Sequence, residues 1–227
     1  NDAPTDLVLS ANTVSENASN GTVVGTVTGT DVDTGDTKSY SLTDTAGGRF
    51  AIDSTTGQLT VANASLLNYE AAMSHTVTVR VTDSGGLTYD ETFTINLTNI
   101  NETPTAVTLS SSTVAENSAN GTVVGTASTT DVDAGDSHTY QLMSNAGGRF
   151  AVAATTGVVT VVDGSLLNYE VATSHTVTIR TMDAGGLTHD QVLSIAVTDV
   201  NEATTTPTTV PGPLLPGTPA PPAPPSP

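Results

Sequence analysis

Three aspartates lie within six positions of the stretch TDVDTGDT, around a single glycine. Carboxylates at this spacing can bind a divalent cation, because the ion offsets their mutual repulsion. An EF-hand loop that starts at Asp31 would need an oxygen ligand at position 5, glycine at position 6 and glutamate at position 12. Those positions hold Gly35, Asp36 and Leu42. The stretch is not an EF-hand, and we interpret Asp31 and Asp33 as part of a site that other segments complete, with Asp36 as a turn residue.

Other oxygen-bearing side chains recur in a small number of short segments. These are SEN, LNYE, VTDSGG and the closing stretches NINE and TDVNE. All of them fall at predicted strand ends or in connections, and a β-sandwich gathers its loops at two poles. Calcium takes six to eight oxygen ligands, so several such segments would have to contribute to one site.

The sequence repeats itself at an offset of 100 residues without a gap. VSENASNGTVVGT returns as VAENSANGTVVGT, and AGGRFA and SLLNYE each occur twice. This repetition predicts two copies of one domain. We assign residues 1–102 to the first repeat with its linker, 103–202 to the second repeat, and 203–227 to a Thr/Pro-rich tail.

Each copy is predicted to be all-β, because segments such as HTVTVRV and ETFTINL alternate apolar and polar residues. The predicted strands of the first copy are Leu7–Ser10, Thr22–Thr30, Ser39–Leu42, Phe50–Ile52, Gln58–Val61, Thr76–Thr82 and Thr88–Leu97. Leu66, Leu67 and Tyr69 break the alternation and predict a short helical turn. Seven short strands in about 100 residues favour a Greek-key β-sandwich of immunoglobulin-like type. The tail cannot form a sheet ladder, and we expect it to be a disordered, extended spacer.

Charge and composition narrow the possible partners. The 227 residues carry 23 acidic side chains against five lysines and arginines, a formal net charge of −18. Such a charge repels phosphate backbones and anionic headgroups, so we expect no nucleic-acid partner and no direct membrane insertion. The chain has no cysteine, and in an exported domain bound metal would take the stabilising role of disulfides. It does not begin with methionine, which favours a mature or excised piece of a longer chain.

Catalytic and transition-metal signals are weak. The sequence has no cysteine nucleophile, no Gly-x-Ser-x-Gly motif and no phosphate-binding glycine loop, so we do not expect an enzyme. The four histidines form no pair at transition-metal spacing, and positions near strand ends suffice to explain them.

Six short motifs, each present twice and in the same order, carry a family resemblance. They are an x-Glu-Asn near the start, Asp-x-Asp after the second predicted strand, FAID…TTGQLTV (FAVA…TTGVVTV in the second copy), L-x-x-Glu, D-x-G and a closing (D/N)-x-N-(D/E). Over about residues 1–202 the chain resembles tandem cadherin repeats, in particular bacterial cadherin-like domains. The resemblance implies Ca²⁺ ions between successive domains, with ligands from both repeats and from the linker.

The resemblance also implies a ligand set, motif by motif. The complete junction would use Glu16, Glu70, Asn101, Glu102, Asp131, Asp133 and Asp183, with Asn99 and the carbonyl of Thr103 as weaker candidates. A half-site toward a preceding repeat would use Asn1, Asp2, Asp31, Asp33 and Asp83, and one toward a following repeat Glu116, Glu170, Asp199, Asn201 and Glu202. Asn68 and Asn168 stand where the family has an aspartate, Glu102 and Glu202 are longer than the usual acid, and Asn99 is neutral. We expect these departures to reduce the charge of the site.

These patterns predict a calcium-binding module of an extracellular or cell-surface protein, stiffened by calcium for adhesion or spacing. Its partners would be calcium and the neighbouring repeats of a longer, membrane-associated bacterial parent protein. Other copies of itself, through homophilic contact, or cell-surface polysaccharide would be further partners. One alternative is a carbohydrate-binding module, although the chain has only five tyrosines, three phenylalanines and no tryptophan. Tyr89 is the best candidate for that role, and its counterpart is His189. The other alternative is a passive, metal-free spacer.

Overall fold

The computed structural model describes residues 1–202, so the predicted tail lies outside the described residues. The first repeat contains β1 (Asp6–Leu9), β2 (Thr13–Ser15), β3 (Val23–Thr30), β4 (Ser39–Asp44), β5 (Phe50–Ile52), β6 (Gln58–Val61), β7 (Ser74–Thr82) and β8 (Thr88–Thr98). The second contains β9 (Ala106–Leu109), β10 (Thr113–Ala115), β11 (Val123–Thr130), β12 (Thr139–Ser144), β13 (Phe150–Val152), β14 (Val158–Val161), β15 (Ser174–Met182) and β16 (Thr188–Thr198).

Each repeat is a sandwich of two four-stranded sheets. In the first repeat the strand orders are β1-β3-β6-β5 and β2-β8-β7-β4, and the second repeat has the same two orders. All pairings are antiparallel except β2 with β8 and β10 with β16. The all-β tandem sandwich is confirmed. The predicted strand Leu7–Ser10 corresponds to β1, whereas β2 was not predicted. The two strands join different sheets, so each sandwich has eight strands and not seven.

The cores follow from the predicted alternation. Along β7 the side chains of Val77, Val79 and Val81 are fully buried between the sheets, while Thr78 and Arg80 between them face outward. Phe50 from β5 and Ile95 from β8 complete the first core, and the equivalent positions do so in the second. Burial of apolar surface at these positions supplies the main driving force for each sandwich.

A short 3₁₀ helix, Ala64–Leu66, begins two residues before the helical turn predicted at Leu66, Leu67 and Tyr69 and overlaps it at Leu66. The Asn63 side chain caps its first turn by accepting from Ser65 N. Arg49 Nε donates to Leu66 O over 3.0 Å and so ties the end of this helix to the turn before β5. The residues that follow, up to Glu70, therefore leave the helix in a defined direction, toward one pole of the sandwich.

The loops of each sandwich gather at two poles. What we call the first pole carries the loops after β3 and β7, which touch through the Ser84 hydroxyl and the Asp36 carboxylate. The second pole carries the segment after β2, the segment after the 3₁₀ helix and the chain that leaves β8. Between the repeats, the second pole of the first sandwich meets the first pole of the second sandwich through linker residues 99–103.

Candidate metal centre

Three carboxylates meet at the junction between the repeats. Glu16 follows β2, Glu70 follows the 3₁₀ helix, and Glu102 lies in the linker after β8. Each offers one oxygen, and these three oxygens lie within 4.8 Å of one another. Like charges this close repel strongly in a partly buried site, so the arrangement favours a counter-cation.

Glu16 is the best-anchored member of this group. It is 4% exposed, and its carboxylate accepts from Tyr69 N over 2.7 Å and from Ile100 N over 2.8 Å. Burial of a carboxylate is costly unless hydrogen bonds compensate for the lost water, and these two amides do so. The same bonds hold the Glu70 segment and the linker against the end of β2.

Glu102 is the strained member. Its Oε2 atom is buried and has no hydrogen-bond partner among residues 1–202. Burial first, and then the charges of Glu16, Asp133, Glu70 and Asp131, raise the pKa of Glu102 to about 7. A cation at this point would satisfy the buried, unpartnered oxygen and offset the repulsion from the four other acids.

A second group of carboxylates lies across the linker, at the first pole of the second repeat. It comprises Asp131, Asp136 and Asp183, again with one oxygen each within 4.8 Å. Asp183 is 4% exposed and accepts from Asn101 Nδ2 over 3.1 Å and from Leu187 N over 2.8 Å. Burial acts to raise the pKa of Asp183, but the bonds from Asn101 and backbone amides 185–187 outweigh it and keep the pKa below its ordinary value.

Asp136 is a residue that the sequence reasoning missed. The sequence predicts its counterpart Asp36 to be a turn residue, yet the Oδ2 atoms of both aspartates are buried without a partner among the described residues. Gly135 has φ +91° and reverses the chain direction, which returns Asp136 toward Asp131. A glycine placed between two acids five positions apart was the available signal.

The remaining aspartate of the loop, Asp133, binds the linker and does not join the three-acid group. It accepts from Glu102 N over 2.7 Å and from Asn99 Nδ2 over 3.0 Å. Asn101 fits closely over Gly185, where an added Cβ would approach the Asn101 side chain to 2.5 Å. The junction residues predicted from sequence are therefore all at the interface, but they divide into two carboxylate groups and a set of linker contacts.

One histidine touches this region. His138 Nε2 lies 2.9 Å from Asp131 Oδ2, and the Asp131 side chain is 3% exposed. The first repeat has Lys38 at the equivalent position. His75 and His175 instead lie beside Phe50 and Phe150, with ring centroids 6.5 Å apart in both repeats.

The first pole of the first repeat reproduces the second group. Asp31, Asp36 and Asp83 form a three-carboxylate group of the same dimensions. Asn1 Nδ2 donates to Asp83 over 3.0 Å, and Asp2 N donates to Asp33 over 2.6 Å. All five residues that the sequence assigns to this half-site therefore lie together.

The second pole of the second repeat is only partly as predicted. Glu116, Glu170 and Asp199 form a three-carboxylate group. Glu116 accepts from Val200 N and Tyr169 N, each over 2.9 Å, and these bonds hold the pKa of Glu116 below its ordinary value. Outside the group, the exposed Glu202 accepts from Asn117 Nδ2 over 3.1 Å, and Asn201 is also exposed.

The donor atoms of these groups suit a hard cation. Within residues 1–202 every three-residue group consists of carboxylates only. Oxygen-only donor sets suit Ca²⁺ or Mg²⁺ and not a transition metal, which prefers imidazole or thiolate. The junction also contains a cavity of about 410 Å³ lined by Tyr69, Glu70, Met73, Asn99 and Ala134.

A family model for the cadherin domain matches residues 11–98 and 110–199. The chain belongs to the cadherin family. This confirms the resemblance stated from the motifs, and it makes the two sandwiches tandem cadherin domains, which are adhesion-type modules.

Among similar proteins, human Protocadherin Fat 4 is 29% identical over 82% of this chain and 4% of its own length. Human Protocadherin beta-1 is 30% identical over 83% of the chain and 24% of its own length. The Drosophila melanogaster Protocadherin-like wing polarity protein stan is 33% identical over 83% of the chain and 6% of its own length. The chain thus spans a small part of these relatives. They are animal proteins, so a bacterial origin stays a prediction.

Solved structures agree with the fold. Mouse Cadherin-23 EC22-24 superposes with a TM-score of 0.65 at 26% identity, covering 84% of this chain and 63% of that one. PcdhgB3 EC1-4 superposes with a TM-score of 0.66 at 25% identity, covering 88% and 51%. Within residues 1–202 no helix has the length and apolar character needed to cross a membrane.

Proposed function

We propose that this chain is a calcium-binding tandem module of a surface or secreted protein, in which calcium at the junction stiffens the pair of cadherin domains. One observation carries the proposal. Carboxylates from the first repeat and from the linker, Glu16, Glu70 and Glu102, converge within 4.8 Å, and the buried Glu102 Oε2 has no partner among the described residues.

Calcium is the cation that this donor set suits best. It accepts six to eight oxygens in flexible geometry, whereas Mg²⁺ demands near-ideal octahedral geometry and keeps several waters. At the junction Glu16, Glu70 and Glu102 would supply one group of ligands, and Asp131, Asp136 and Asp183 the second. Asn101 and Asp133 would hold the linker between the two groups.

The mechanical role follows from how the charges are distributed. Glu16 and Glu70 belong to the first repeat, whereas Glu102 is bonded through its amide to Asp133 of the second. Without a cation, the repulsion among these carboxylates opposes close approach of the two domains. A cation shared by all three turns this repulsion into attraction and fixes the angle between the repeats.

The two outer groups extend the same proposal. The group of Asp31, Asp36 and Asp83 would serve a junction with a preceding repeat, and the group of Glu116, Glu170 and Asp199 one with a following repeat. A parent protein of many repeats accords with the 4% of Protocadherin Fat 4 that the chain spans. The boundaries 1–102 and 103–202 are part of this proposal.

Partners beyond calcium are proposed from the family. One structural neighbour, Protocadherin gammaB7 EC3-6, is described as a cis-dimer structure. Other copies of the parent protein are therefore the partner class we propose for adhesion. No described feature supports polysaccharide, and we do not propose it.

Thermal unfolding with calcium and with chelator tests the metal. We expect melting to rise at millimolar calcium, because binding to the folded pair stabilises it by about 2.7 kcal/mol at a hundredfold excess over Kd. Asp131→Ala combined with Asp133→Ala should remove the response of the junction. An unchanged melting temperature in the wild type would instead indicate the passive spacer.

Small-angle scattering tests the stiffening separately. We expect calcium to lengthen the pair and narrow its distance distribution in the wild type but not in the Asp131/Asp133 double variant. The matched control is Asp31→Ala with Asp33→Ala, the same loop in the first repeat, which faces away from the junction and should leave stiffening intact. Identical profiles with and without calcium would contradict the mechanical role.

A further inference from the structure

The internal duplication shows which linker residues each repeat holds by itself. Linker residues 99–102 lie between two domains, so their contacts alone do not reveal to which domain they belong. The segments equivalent to the linker at the two outer poles supply that information. Each of them touches only one repeat.

The second half of the linker belongs to the repeat that follows it. Asn101 donates to Asp183 over 3.1 Å, and the amide of Glu102 donates to Asp133 over 2.7 Å. At the start of the chain, Asn1 and Asp2 make the same two bonds, over 3.0 and 2.6 Å, to residues of the first repeat alone. These bonds therefore form without any contribution from a preceding domain.

The first half of the linker belongs to the repeat that precedes it. The amide of Ile100 donates to Glu16 Oε1 over 2.8 Å. At the other end of the described chain, the amide of Val200 donates to Glu116 Oε1 over 2.9 Å, and both residues belong to the second repeat. This bond also forms within one domain.

We propose that the joint has a built-in hinge between Ile100 and Asn101, whose motion is restrained without metal, though not abolished, by a clasp from Asn99 to Asp133. The proposal deepens the proposed function, on which only its calcium arm rests. The residues on either side of the hinge are each bonded to their own domain. Rotation about the backbone at this point changes the angle between the domains and leaves these bonds intact.

The clasp is the amide of Asn99. Asn99 lies on the first side of the hinge, yet its Nδ2 donates to Asp133 Oδ1 of the second repeat over 3.0 Å. The equivalent residue at the far pole is Asp199, which has no donor and joins a carboxylate group instead. The Glu102 carboxylate crosses the hinge in the opposite direction and meets Glu16 and Glu70. Without a cation, the Asn99–Asp133 hydrogen bond attracts the two sides of the hinge, while the meeting of Glu102 with Glu16 and Glu70 repels them.

Residual dipolar couplings of the ¹⁵N-labelled chain in chelator locate the hinge. We expect the N–H vectors of residues 99 and 100 to fit the alignment tensor of the first repeat, and those of 101 and 102 to fit that of the second. All four vectors following one repeat, or fitting neither, would overturn the hinge position.

The variant Asn99→Ala tests the clasp. In chelator we expect the alignment of one repeat relative to that of the other to fall by about half in this variant. Without the clasp, motion at the hinge averages the residual dipolar couplings of the two domains differently. Asn96→Ala, an exposed asparagine on β8 outside the junction, should match the wild type. Equal relative order in Asn99→Ala and the wild type would overturn the clasp.

Added calcium separates this inference from the proposed function. If calcium is the joint's cation, the tensors of the two repeats should become equal in the wild type and in Asn99→Ala. If calcium has no effect while the chelator results hold, the proposed function fails and the hinge with its clasp stands. If calcium makes the tensors equal but the chelator results fail, the proposed function stands and the hinge with its clasp is overturned.

Discussion

The junction and the second pole of the second repeat are built from the same segments, but they differ in charge environment. Glu16 and Glu116 are both buried and both hold two backbone amides. At the junction Glu102 is half-buried with a pKa raised to about 7, whereas Glu202 is exposed and bonded to Asn117. Each repeat thus forms its own anchor, and the linker, held against the next domain, adds a half-buried charge that would favour a bound cation.

A second difference concerns the residue that leaves the last strand. The side-chain amide of Asn99 donates a hydrogen bond across the junction, while Asp199 adds a third acid to the group at the second pole of the second repeat. The third carboxylate of the two groups therefore comes from different positions. Glu102 completes the junction group, whereas Asp199 completes the group at the second pole of the second repeat. Similar three-acid groups therefore arise from different residues.

The largest expected effect is the loss of an anchor. Glu16→Ala leaves the partly buried amides of Tyr69 and Ile100 unpaired, and an unpaired amide costs up to about 1–3 kcal/mol when it is buried. We expect the melting temperature of the first repeat to fall by about 10 °C. Glu116→Ala should lower that of the second repeat by a similar amount, measured by calorimetry.

The pair becomes informative when calcium is added. Glu16→Ala should abolish calcium-dependent stiffening in scattering, whereas Glu116→Ala should retain it. If both variants stiffen with calcium, Glu16 is an anchor only and not part of the cation site.

Next in size is the close fit of Asn101 over Gly185. Gly185→Ala introduces a Cβ that would lie 2.5 Å from the Asn101 side chain, and overpacking of this kind costs about 1–3 kcal/mol. We expect roughly a tenfold weaker calcium affinity at the junction by titration calorimetry. Gly85→Ala makes the same clash with Asn1 and should leave the junction affinity unchanged. Equal losses in both variants would point to a general loop defect.

The raised pKa of Glu102 makes the junction pH-dependent. A carboxyl with a raised pKa stabilises the closed junction below its ordinary pKa, and this contribution is lost as pH rises through about 7. In chelator, scattering should therefore show a more compact junction at pH 5 than at pH 8. Calcium needs the deprotonated carboxylate, so binding at pH 7 should release about half a proton per junction.

Titration calorimetry in two buffers of different ionisation enthalpy measures this proton. Glu102→Gln should remove the proton release, and Glu202→Gln should keep it because Glu202 is exposed. The same binding enthalpy in both buffers for the wild type would contradict the assignment to Glu102.

The smallest expected effect lies away from both poles. Arg80 with Asp90 and Arg180 with Asp190 form equivalent two-pronged ion pairs on exposed strand faces. Because exposed pairs contribute little, Asp90→Ala and Asp190→Ala should each lower the melting temperature by about 2 °C or less, with or without calcium. A calcium-dependent difference between them would show that the two repeats differ beyond their poles.

Most of the fold could be predicted because its signals are local. Alternation along β7 and β8, the turn glycines and the 100-residue offset define strands to within a residue or two. The missed strand, β2, has three residues and pairs in parallel with β8, which is distant in sequence. So short a segment carries too little periodicity to be recognised.

Most residues of the carboxylate groups could be named from the sequence, but Asp36 and Asp136 could not, and neither could the arrangement of the groups. Acids at strand ends identified Glu16 and Asp183, since loops of a sandwich must gather at its poles. Sequence could not show that Asp136 turns inward, because that depends on one glycine torsion. Nor could it show that Glu202 stays apart from Glu170 while Glu102 approaches Glu70.

The sequence by itself determined two all-β repeats, a strongly acidic set of strand-end residues and the family to which they belong. These properties follow from residue type and spacing along the chain. Tertiary structure decided which acids share a charge environment, because electrostatic repulsion and desolvation depend on distances between segments that are far apart in sequence. It also decided that Asn99 spans the joint, since a hydrogen bond between two domains requires both to be present.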